Sequence, residues 1–461
     1  MAKYKAYPEY KDSGVEWLGE IPRHWVCTQI KYGYDVTLGK MLQKNKSSFK
    51  DELKPYLKAQ NIQPTGVDLN IVDLMWFSPE EQTKLLLKPN DVLISEGGDV
   101  GRSTIWLEQL DECYIQNAIN RVRAIKGNSS SFLNYWMIYL KSADFINTLC
   151  NKATIAHYTA EKVEMSPVLL PTSNEQLLIS AFLDHETAKI DNLIEKQQQL
   201  IELLKEKRQA VISHAVTKGI NPDAPMKDSG VEWLGKVPEH WDVLRIKQLS
   251  LQISKGTTPS TIGGDFVDKG IRFLKAENIG KSKEVNFHPQ FHITSFVDKQ
   301  ISRSRLQERD VLVIIAGATT GMASVLQKEL LPANTNQAVS FIRLINVNFA
   351  EWVYYWLGIE PTQCRIWMGA VQAAQPNLSM EDLGNIPILV PPRDEIKWIC
   401  LEIEKQSIKF KNLISKAESA IELMQERRTA LISAAVTGKI DVRNWVAPEG
   451  EKAEVSQEAT A

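Results

Sequence analysis

The feature that most constrains this chain is an internal duplication. The segment KDSGVEWLG at Lys11–Gly19 recurs unchanged at Lys227–Gly235, and both copies are followed by an Ile/Val-Pro pair and then His-Trp. Further matches continue along the chain, and their offset grows from 216 residues at this segment to 220 residues at Pro171 and Pro391. A repeat of this length indicates that one structural unit is present twice.

Each copy has two parts of different character. The first, of about 160 residues, mixes short β-rich runs with Gly, Asn and Pro, which is typical of a mixed α and β globular domain. The second is a stretch without Gly or Pro, Glu175–Thr217 in one copy and Glu395–Thr437 in the other. At about 1.5 Å per residue, each predicts a helix roughly 60 Å long. Thr172 and Asp394 are predicted capping residues at the starts of the two helices, and Gly219 and Gly438 are predicted to end them.

Apolar residues on both predicted helices recur at spacings of three, four and seven. We expect these seams to pair with another helix, and most simply with each other in an antiparallel rod that holds two globular domains apart. The alternative is that each helix packs only on its own globular domain. The seam residues are Leu193, Leu200, Leu204 and Val211 on the first helix, and Leu413, Ala417, Ala420, Met424 and Leu431 on the second.

The predicted fold class is therefore mixed α/β (α+β), with two globular domains, two long antiparallel coiled-coil helices and an internal pseudo-twofold repeat. We place the globular domains at residues 1–171 and 220–391, and the helical regions at 172–219 and 392–439. The tail, 440–461, is predicted to be disordered because its last residues are acidic and nearly free of large apolar side chains.

Composition narrows the functional class. The chain has 461 residues with 54 basic and 56 acidic side chains, a formal net charge of −2, so any surface for polyanions must be local. The five cysteines are scattered and form no CxxC pair, which supports neither a disulfide framework nor a zinc site. The first residues lack the apolar core of a signal peptide, and no stretch approaches a membrane span. We expect a cytoplasmic protein without a membrane partner.

Motifs that carry catalysis are not evident. Gly230–Lys236 fits part of a phosphate-binding loop, but Val237 stands where Ser or Thr must hold magnesium. His288 and His292 are four residues apart, but Pro289 intervenes and no metal-ligand pattern surrounds them. There is also no GxSxG or GxGxxG motif, and no Asp/Asn-Pro-Pro-aromatic tetrad of adenine methyltransferases. Together with the duplication, this favours recognition over catalysis, with no catalytic, metal or cofactor site in this chain.

Three sets of residues in each copy are candidates for binding nucleic acid through lysine, arginine and hydrogen-bonding side chains. The alternative is a solvated surface, or glycines that only permit turns. The first set is a lysine-dense loop, Lys40, Lys44, Lys46 and Lys58, with Lys255, Thr257, Thr258 and Lys275 in the second copy. The second set lies in glycine loops, with Arg102 in one copy and Thr319 and Thr320 in the other. The third set precedes each helix: Lys152, His157 and Tyr158, with Arg365 and Gln375 in the second copy.

Over residues 1 to 440 this arrangement resembles the specificity (S) subunits of type I restriction-modification systems. The resemblance rests on the GVEWLG-IP-HW opening, the Asp-Val-Leu strand with its glycine loop, the Asn/Gln-Ala step, and the Pro-x-x-x-Glu start of each long helix. One departure is the lysine-dense loop of the first copy, since its counterpart is rich in threonine.

The resemblance implies a non-catalytic subunit with two target-recognition domains, each binding one half of a bipartite asymmetric site in double-stranded DNA. It implies two methyltransferase (M) subunits, docked along the helices and domains, and restriction (R) subunits as partners. S-adenosylmethionine, ATP and Mg²⁺ would be bound by those partners, with no cofactor on this chain. The polar sets differ between the copies while the frameworks agree, as expected if each half reads a different sequence.

Three other interpretations stay open. The chain could serve a related methylation-only or fused system, which only the partner genes would distinguish. It could be a nuclease or methyltransferase with an unrecognised motif, and would then act on DNA without partners. It could also be a duplicated coiled-coil scaffold with no affinity for nucleic acid.

Overall fold

The computed structural model describes residues 4–150, 156–370 and 376–446. Within them the chain divides into two compact units. The first unit runs to Gln197 and resumes at Ser419, and the second comprises Gln198–Glu418. Each long helix therefore contributes one part to each unit.

In its described residues, the first unit contains thirteen strands and the first five helices. The strands are β1 (Tyr10–Asp12), β2 (Glu20–Pro22), β3 (Val26–Gln29), β4 (Tyr34–Leu38), β5 (Glu52–Leu57), β6 (Ile62–Gln63), β7 (Gly66–Val67), β8 (Asp73–Phe77), β9 (Val92–Ser95), β10 (Ser103–Ile105), β11 (Tyr114–Ile115), β12 (Ile119–Ala124) and β13 (Pro167–Leu170). The helices are α1 (Pro79–Leu85), α2 (Ser130–Ser142), α3 (Phe145–Cys150), α4 (Ala160–Met165) and α5 (Ser173–Lys218), which continues into the second unit.

The second unit repeats much of this order. Its strands are β14 (Met226–Asp228), β15 (Lys236–Pro238), β16 (Asp242–Arg245), β17 (Ser250–Lys255), β18 (Phe266–Val267), β19 (Ile271–Leu274), β20 (His292–Ile293), β21 (Val311–Ile314), β22 (Ala323–Val325), β23 (Ala333–Thr335), β24 (Val339–Leu344) and β25 (Pro387–Val390). Its helices are α6 (Ile246–Leu249), α7 (Ser295–Gln300), α8 (Ala350–Gly358), α9 (Glu360–Ala370), α10 (Met380–Asn385) and α11 (Arg393–Val436), which ends in the first unit.

The main sheets of the two units have the same topology. The first unit has a four-stranded antiparallel sheet in the order β10-β9-β12-β4, and the second has the equivalent order β22-β21-β24-β17. A second sheet in each unit contains one parallel pair, β5 with β11 and β19 with β23. The fold is therefore mixed, as predicted, and the duplication extends to strand order.

A buried ion pair recurs in both main sheets and explains the Asp-Val-Leu motif. Asp91 binds Arg123 through two contacts of 2.7 Å, and Asp310 binds Arg343 at 3.0 and 2.7 Å. Each aspartate also accepts the N–H of the residue three positions earlier, which closes the turn that leads into the strand. Both carboxylates are buried, so the pair fixes the same strands in each unit.

The duplicated opening segments have a structural role. In both units the GVEWLG turn connects a short hairpin, and it is closed by N–H to O bonds of 3.0 Å from Ser13 to Gly19 and from Ser229 to Gly235. The second of these turns lies within the stretch that matched part of a phosphate-binding loop.

The long helices lie close to their predicted bounds, because no Gly or Pro interrupts them and a glycine ends each one. Gly219 and Gly438 follow the last turns with φ of 77° and 72°, a conformation that favours glycine. At the start of α5, Thr172 accepts the N–H of Glu175 at 3.4 Å, as predicted. Asp394 instead lies inside the first turn of α11, because this helix begins one residue earlier, at Arg393.

Four of the five predicted seam residues on the second helix are buried or half-buried, but only two of the four on the first helix are. Ala417, Ala420, Met424 and Leu431 are buried or half-buried, whereas Leu413 is exposed. On α5, Leu193 and Leu200 are 51% and 42% exposed, and only Leu204 and Val211 are half-buried. The stripe that is buried or half-buried over the middle of α5 comprises Ile190, Ile194, Gln197, Ile201 and Leu204.

Each unit packs parts of both helices into its own core. In the first unit, Phe182 near the start of α5 belongs to the same apolar cluster as Ile432 near the end of α11. In the same unit Asp191 accepts from Arg428 at 2.9 Å. In the second unit, Val216 near the end of α5 shares a cluster with Ile399 near the start of α11.

Candidate nucleic-acid interface

A loop rich in lysine follows β4 in the first unit, and we call residues 39–51 the basic loop. It begins at Gly39, where a Cβ atom would collide with the backbone carbonyl of Gln116. It ends at Asp51, whose carboxylate accepts the N–H groups of Ser47 at 2.9 Å and Ser48 at 3.0 Å. Desolvation raises the pKa of Asp51, but these hydrogen bonds outweigh it and hold the pKa below its usual value. The loop is therefore tied at both ends.

Some lysines of the first set are exposed to solvent, and others are bound in ion pairs within the unit. Lys44, Lys46 and Lys50 are exposed, and the ammonium of Lys46 lies 5.1 Å from the centre of the Trp76 ring. Lys40 is instead nearly buried and pairs with Glu81, and Lys58 pairs with Asp73 at 2.5 Å. These two predicted ligands carry charges that are already neutralised inside the unit.

The corresponding loop of the second unit has the same backbone constraint and different side chains. A Cβ atom at Gly256 would collide with the carbonyl of Thr335, and the N–H of Thr257 donates to that carbonyl at 3.0 Å. Lys255 is exposed, and Thr257 and Thr258 are half-buried. The ammonium of Lys275 lies 3.6 Å from the ring centre of Phe291, so an aromatic pocket holds it.

The glycine loops place their predicted residues differently. The guanidinium of Arg102 donates to the carbonyl of Ala59 at 3.2 Å and to Gln63 at 3.4 Å, which fixes this loop against the turn that follows β5. Thr319 is exposed at the tip of the second loop. Thr320 is buried and donates to the carbonyl of Gly317 at 2.7 Å, so it shapes the loop and is not available to a ligand in this conformation.

The third set adjoins the glycine loop in the first unit, where a Cβ atom at Gly97 would lie 3.9 Å from His157. His157 is half-exposed, with Nδ1 3.9 Å from a carboxylate oxygen of Glu96, and burial raises the pKa of Glu96. Tyr158 is fully buried and its hydroxyl lies 2.6 Å from that of Ser166, so this predicted ligand is a core residue. In the second unit Arg365 is exposed on α9. Lys152 and Gln375 lie outside the described residues, as does the predicted tail from residue 447 onward. The first residues of that predicted tail, 440–446, are described, and Ile440 and Val442 are buried in the core of the first unit.

Two features of this surface were missed by sequence reasoning. The first is Glu96, which lies in the glycine loop of the first unit and was not named as a candidate. A backbone hydrogen bond of 2.9 Å, from the N–H of Tyr158 to the carbonyl of Glu96, holds it beside His157. Phe49 was not singled out, although an aromatic residue between Ser48 and Lys50 was a usable signal. Its side chain is the most exposed large apolar one in the described ranges.

Two other kinds of feature, metal-ligand clusters and membrane-spanning helices, are absent from the described residues. No group of three or more His, Cys, Asp or Glu side chains among them could hold a metal ion. None of the helices in the described part combines the length and the apolar character that a membrane crossing requires.

Comparison with known proteins gives a consistent family. Residues 35–203 match the family described as "Type I restriction modification DNA specificity domain". The chain is therefore similar to this family over those residues, and over most of its length to specificity subunits of type I restriction enzymes. The resemblance inferred from its motifs is thereby confirmed.

The sequence similarity to individual curated relatives extends over most of the chain. The EcoBI specificity subunit of Escherichia coli is 23% identical over 76% of this chain and 74% of its own length. The EcoKI specificity subunit of Escherichia coli K12 is 21% identical over 92% of this chain and 90% of its own. The MjaVIII specificity subunit of Methanocaldococcus jannaschii is 24% identical over 67% and 70%.

Solved structures in the family share the fold. A chain from a study of "complex assembly and conformational transition of the type I R-M system" superposes with a TM-score of 0.70 at 12% identity, covering 91% of this chain and 99% of that one. The HsdS subunit of Thermoanaerobacter tengcongensis gives a TM-score of 0.54 at 15% identity, covering 91% and 98%.

Proposed function

We propose that this chain reads a bipartite, asymmetric site in double-stranded DNA, with one half-site bound by each unit. In this proposal it is a non-catalytic specificity subunit of a type I restriction-modification system, in line with the curated relatives that carry this name. The observation that carries the bipartite proposal is the contrast between framework and surface. The Asp91–Arg123 and Asp310–Arg343 pairs and the sheet order are the same in both units, whereas Lys40 of the first loop corresponds to Thr257 of the second.

The exposed members of the three predicted sets are the proposed contacts. Lys44, Lys46, Lys255 and Arg365 would bind phosphates and fix the register of each unit on the duplex. Thr319 and His157 present hydrogen-bonding groups of the kind that read base edges in the major groove. Because the net charge is −2, these local groups and the partner subunits must share the attraction to DNA. Lys40, Lys58, Arg102 and Lys275 act by holding the loops in shape.

The long helices are the proposed spacer and docking platform. We infer an antiparallel pair, because the start of α5 packs with the end of α11 in one unit and the reverse holds in the other. Two methyltransferase subunits and the restriction subunits would assemble on this chain, in line with a structural relative that comes from work on assembly of such a complex. S-adenosylmethionine, ATP and Mg²⁺ would be bound by those subunits.

Selection from random DNA tests this proposal. The chain is co-purified with its methyltransferase partner subunits, incubated with a library of random duplexes, and the bound duplexes are sequenced. We expect two enriched sequence blocks separated by a gap of fixed length and no sequence preference. One continuous block, or no enrichment, would contradict the proposed bipartite reading.

A further inference from the structure

Phe49 occupies an unusual position for a large apolar side chain. Its side chain is 85% exposed, and it lies in the basic loop between Ser48 and Lys50. Three exposed lysines, Lys44, Lys46 and Lys50, share the same loop. Contact with a partner would remove this ring from water, which is favourable, and the surrounding lysines bear on which partner that is.

The loop that carries Phe49 is held in shape by several hydrogen bonds. Beyond the two N–H groups bound by Asp51, the side-chain amide of Gln43 donates to Ser47 at 2.8 Å and to the carbonyl of Asn45 at 3.0 Å. The N–H of Trp76 in β8 donates to the carbonyl of Gln43 at 3.2 Å. The ring is thus presented by a pre-formed loop, which limits the entropy lost on binding.

The second unit offers an internal comparison. Phe266 follows Phe49 by 217 residues, the same offset that separates Gly256 from Gly39. Its side chain is 43% exposed, and its ring centre lies 5.4 Å from that of Phe273 and 5.9 Å from that of Phe291. The second unit therefore seats this ring in an aromatic cluster, and the first unit leaves it projecting among lysines.

We propose that Phe49 is a wedge that inserts between, or stacks on, bases of the half-site bound by the first unit. This rests on the proposed function and adds a specificity-determining residue to it. Apolar wedges unstack base steps in other DNA-binding proteins, and the step they enter contributes to sequence preference through its deformability. The three lysines favour DNA over a protein partner, because they precede and follow Phe49 in one loop and Lys50 lies 5.8 Å from the ring centre.

The test uses the assembled complex and a duplex that carries its recognition sequence. Fluorescent 2-aminopurine is placed at each adenine of the two half-sites in turn, because its emission rises when the base is unstacked. Target adenines flipped by the methyltransferase subunits brighten in any case. We expect one further position, in one half-site only, to brighten with the wild-type complex. Phe49→Ala should abolish this signal and weaken binding by about 5- to 100-fold, the range for removal of one aromatic stack. Phe49→Leu should retain part of both effects.

Controls separate the wedge from other roles. Leu107→Ala removes another exposed apolar side chain of the first unit, away from the basic loop, and should change neither affinity nor emission. If Phe49→Ala binds and brightens like the wild type, or lowers only the yield of assembled complex, the wedge is wrong and the proposed function stands. If the wild-type complex shows no sequence preference at all, both proposals are wrong.

Discussion

The indole nitrogen of Trp25 donates a hydrogen bond of 3.1 Å to Glu175, the residue in the first turn of α5. The same carboxylate lies 2.9 Å from Nε2 of His24 and accepts from the Tyr7 hydroxyl at 2.6 Å. In the second unit the carboxylate of Glu395 accepts from the indole nitrogen of Trp241 at 3.1 Å and lies 2.7 Å from Nε2 of His240. The duplicated His-Trp pair and the Pro-x-x-x-Glu motif are therefore two ends of one contact, which attaches each globular domain to a long helix.

Removal of the Glu175 carboxylate should destabilise the first unit more than removal of the Glu395 carboxylate destabilises the second unit. The Glu175 side chain is 4% exposed and serves three donors, whereas Glu395 is 25% exposed and serves two. We expect Glu175→Ala to lose about 2 to 4 kcal/mol, a fall of roughly 5 to 15 °C in the unfolding temperature, because buried donors are left unpaired. Calorimetry of Glu175→Ala beside Glu395→Ala checks this. A larger loss for Glu395→Ala would contradict it.

The acid stability of the second unit should depend on Glu404. Lys283 binds this carboxylate at 2.8 Å and Tyr355 donates to it at 3.0 Å, and the bond from Lys283 is the main cause that holds the pKa of Glu404 below its usual value. A lowered pKa in the folded state gives stability that is present above the unfolded pKa and is lost as pH falls through the folded pKa. Between about pH 5 and pH 3, the unfolding temperature of the wild type should therefore fall more than that of Glu404→Gln. Parallel curves from thermal melts would contradict this.

Shortening the helices should change the gap between the half-sites. Deleting one heptad, Gln197–Leu203, and its counterpart 220 residues later, Ala417–Leu423, shortens both helices by about 10 Å, or about three base pairs. The methylated motif should then have a shorter unread gap and unchanged half-sites. Deleting only Gln197–Leu203 puts the two buried stripes out of register and should change the gap or abolish activity. Full activity with an unchanged gap in the double deletion would contradict the spacer role.

The exposed lysines of the basic loop should contribute to the salt dependence of binding. Lys44→Ala with Lys46→Ala should weaken binding by the assembled complex and flatten the plot of log affinity against log salt by about 0.9 for each phosphate that is no longer bound. Lys58→Met is the matched control, because Lys58 is paired with Asp73 at 2.5 Å and should leave the slope unchanged. Fluorescence anisotropy at several salt concentrations measures both. An unchanged slope in the double variant would remove these lysines from the interface.

The sequence predicted the parts of the fold that local chemistry determines. The duplication indicated two equivalent units, and the absence of Gly and Pro placed the helix ends within two residues of their observed positions. The seam of α5 was misjudged because its buried stripe includes the polar Gln197. Leu193 and Leu200 lie seven residues apart, as in a coiled-coil seam, but on an exposed face. A regular leucine spacing does not show which face of a helix is covered.

The surroundings of the predicted site residues could not be inferred from the sequence, because their contact partners lie far away in the chain. Lys40 and Lys58 look like free positive charges in a short window, yet Glu81 and Asp73 neutralise them after the strands are assembled. Tyr158 looks like a hydrogen-bonding residue in a polar segment, yet its backbone pairs with Glu96 and Asn120 draw the ring into the core. Exposure depends on tertiary contacts, so sequence could suggest the loops but not which side chains they present.

The most direct test of the account is a single-molecule methylome of the source cells with and without this gene. If the chain directs modification through two units, one bipartite methyladenine motif disappears on deletion and returns when the gene is restored. Its two blocks then identify both half-sites. If every methyladenine motif is unchanged, although the methyltransferase partners are expressed, the chain does not direct modification and the proposed function is wrong.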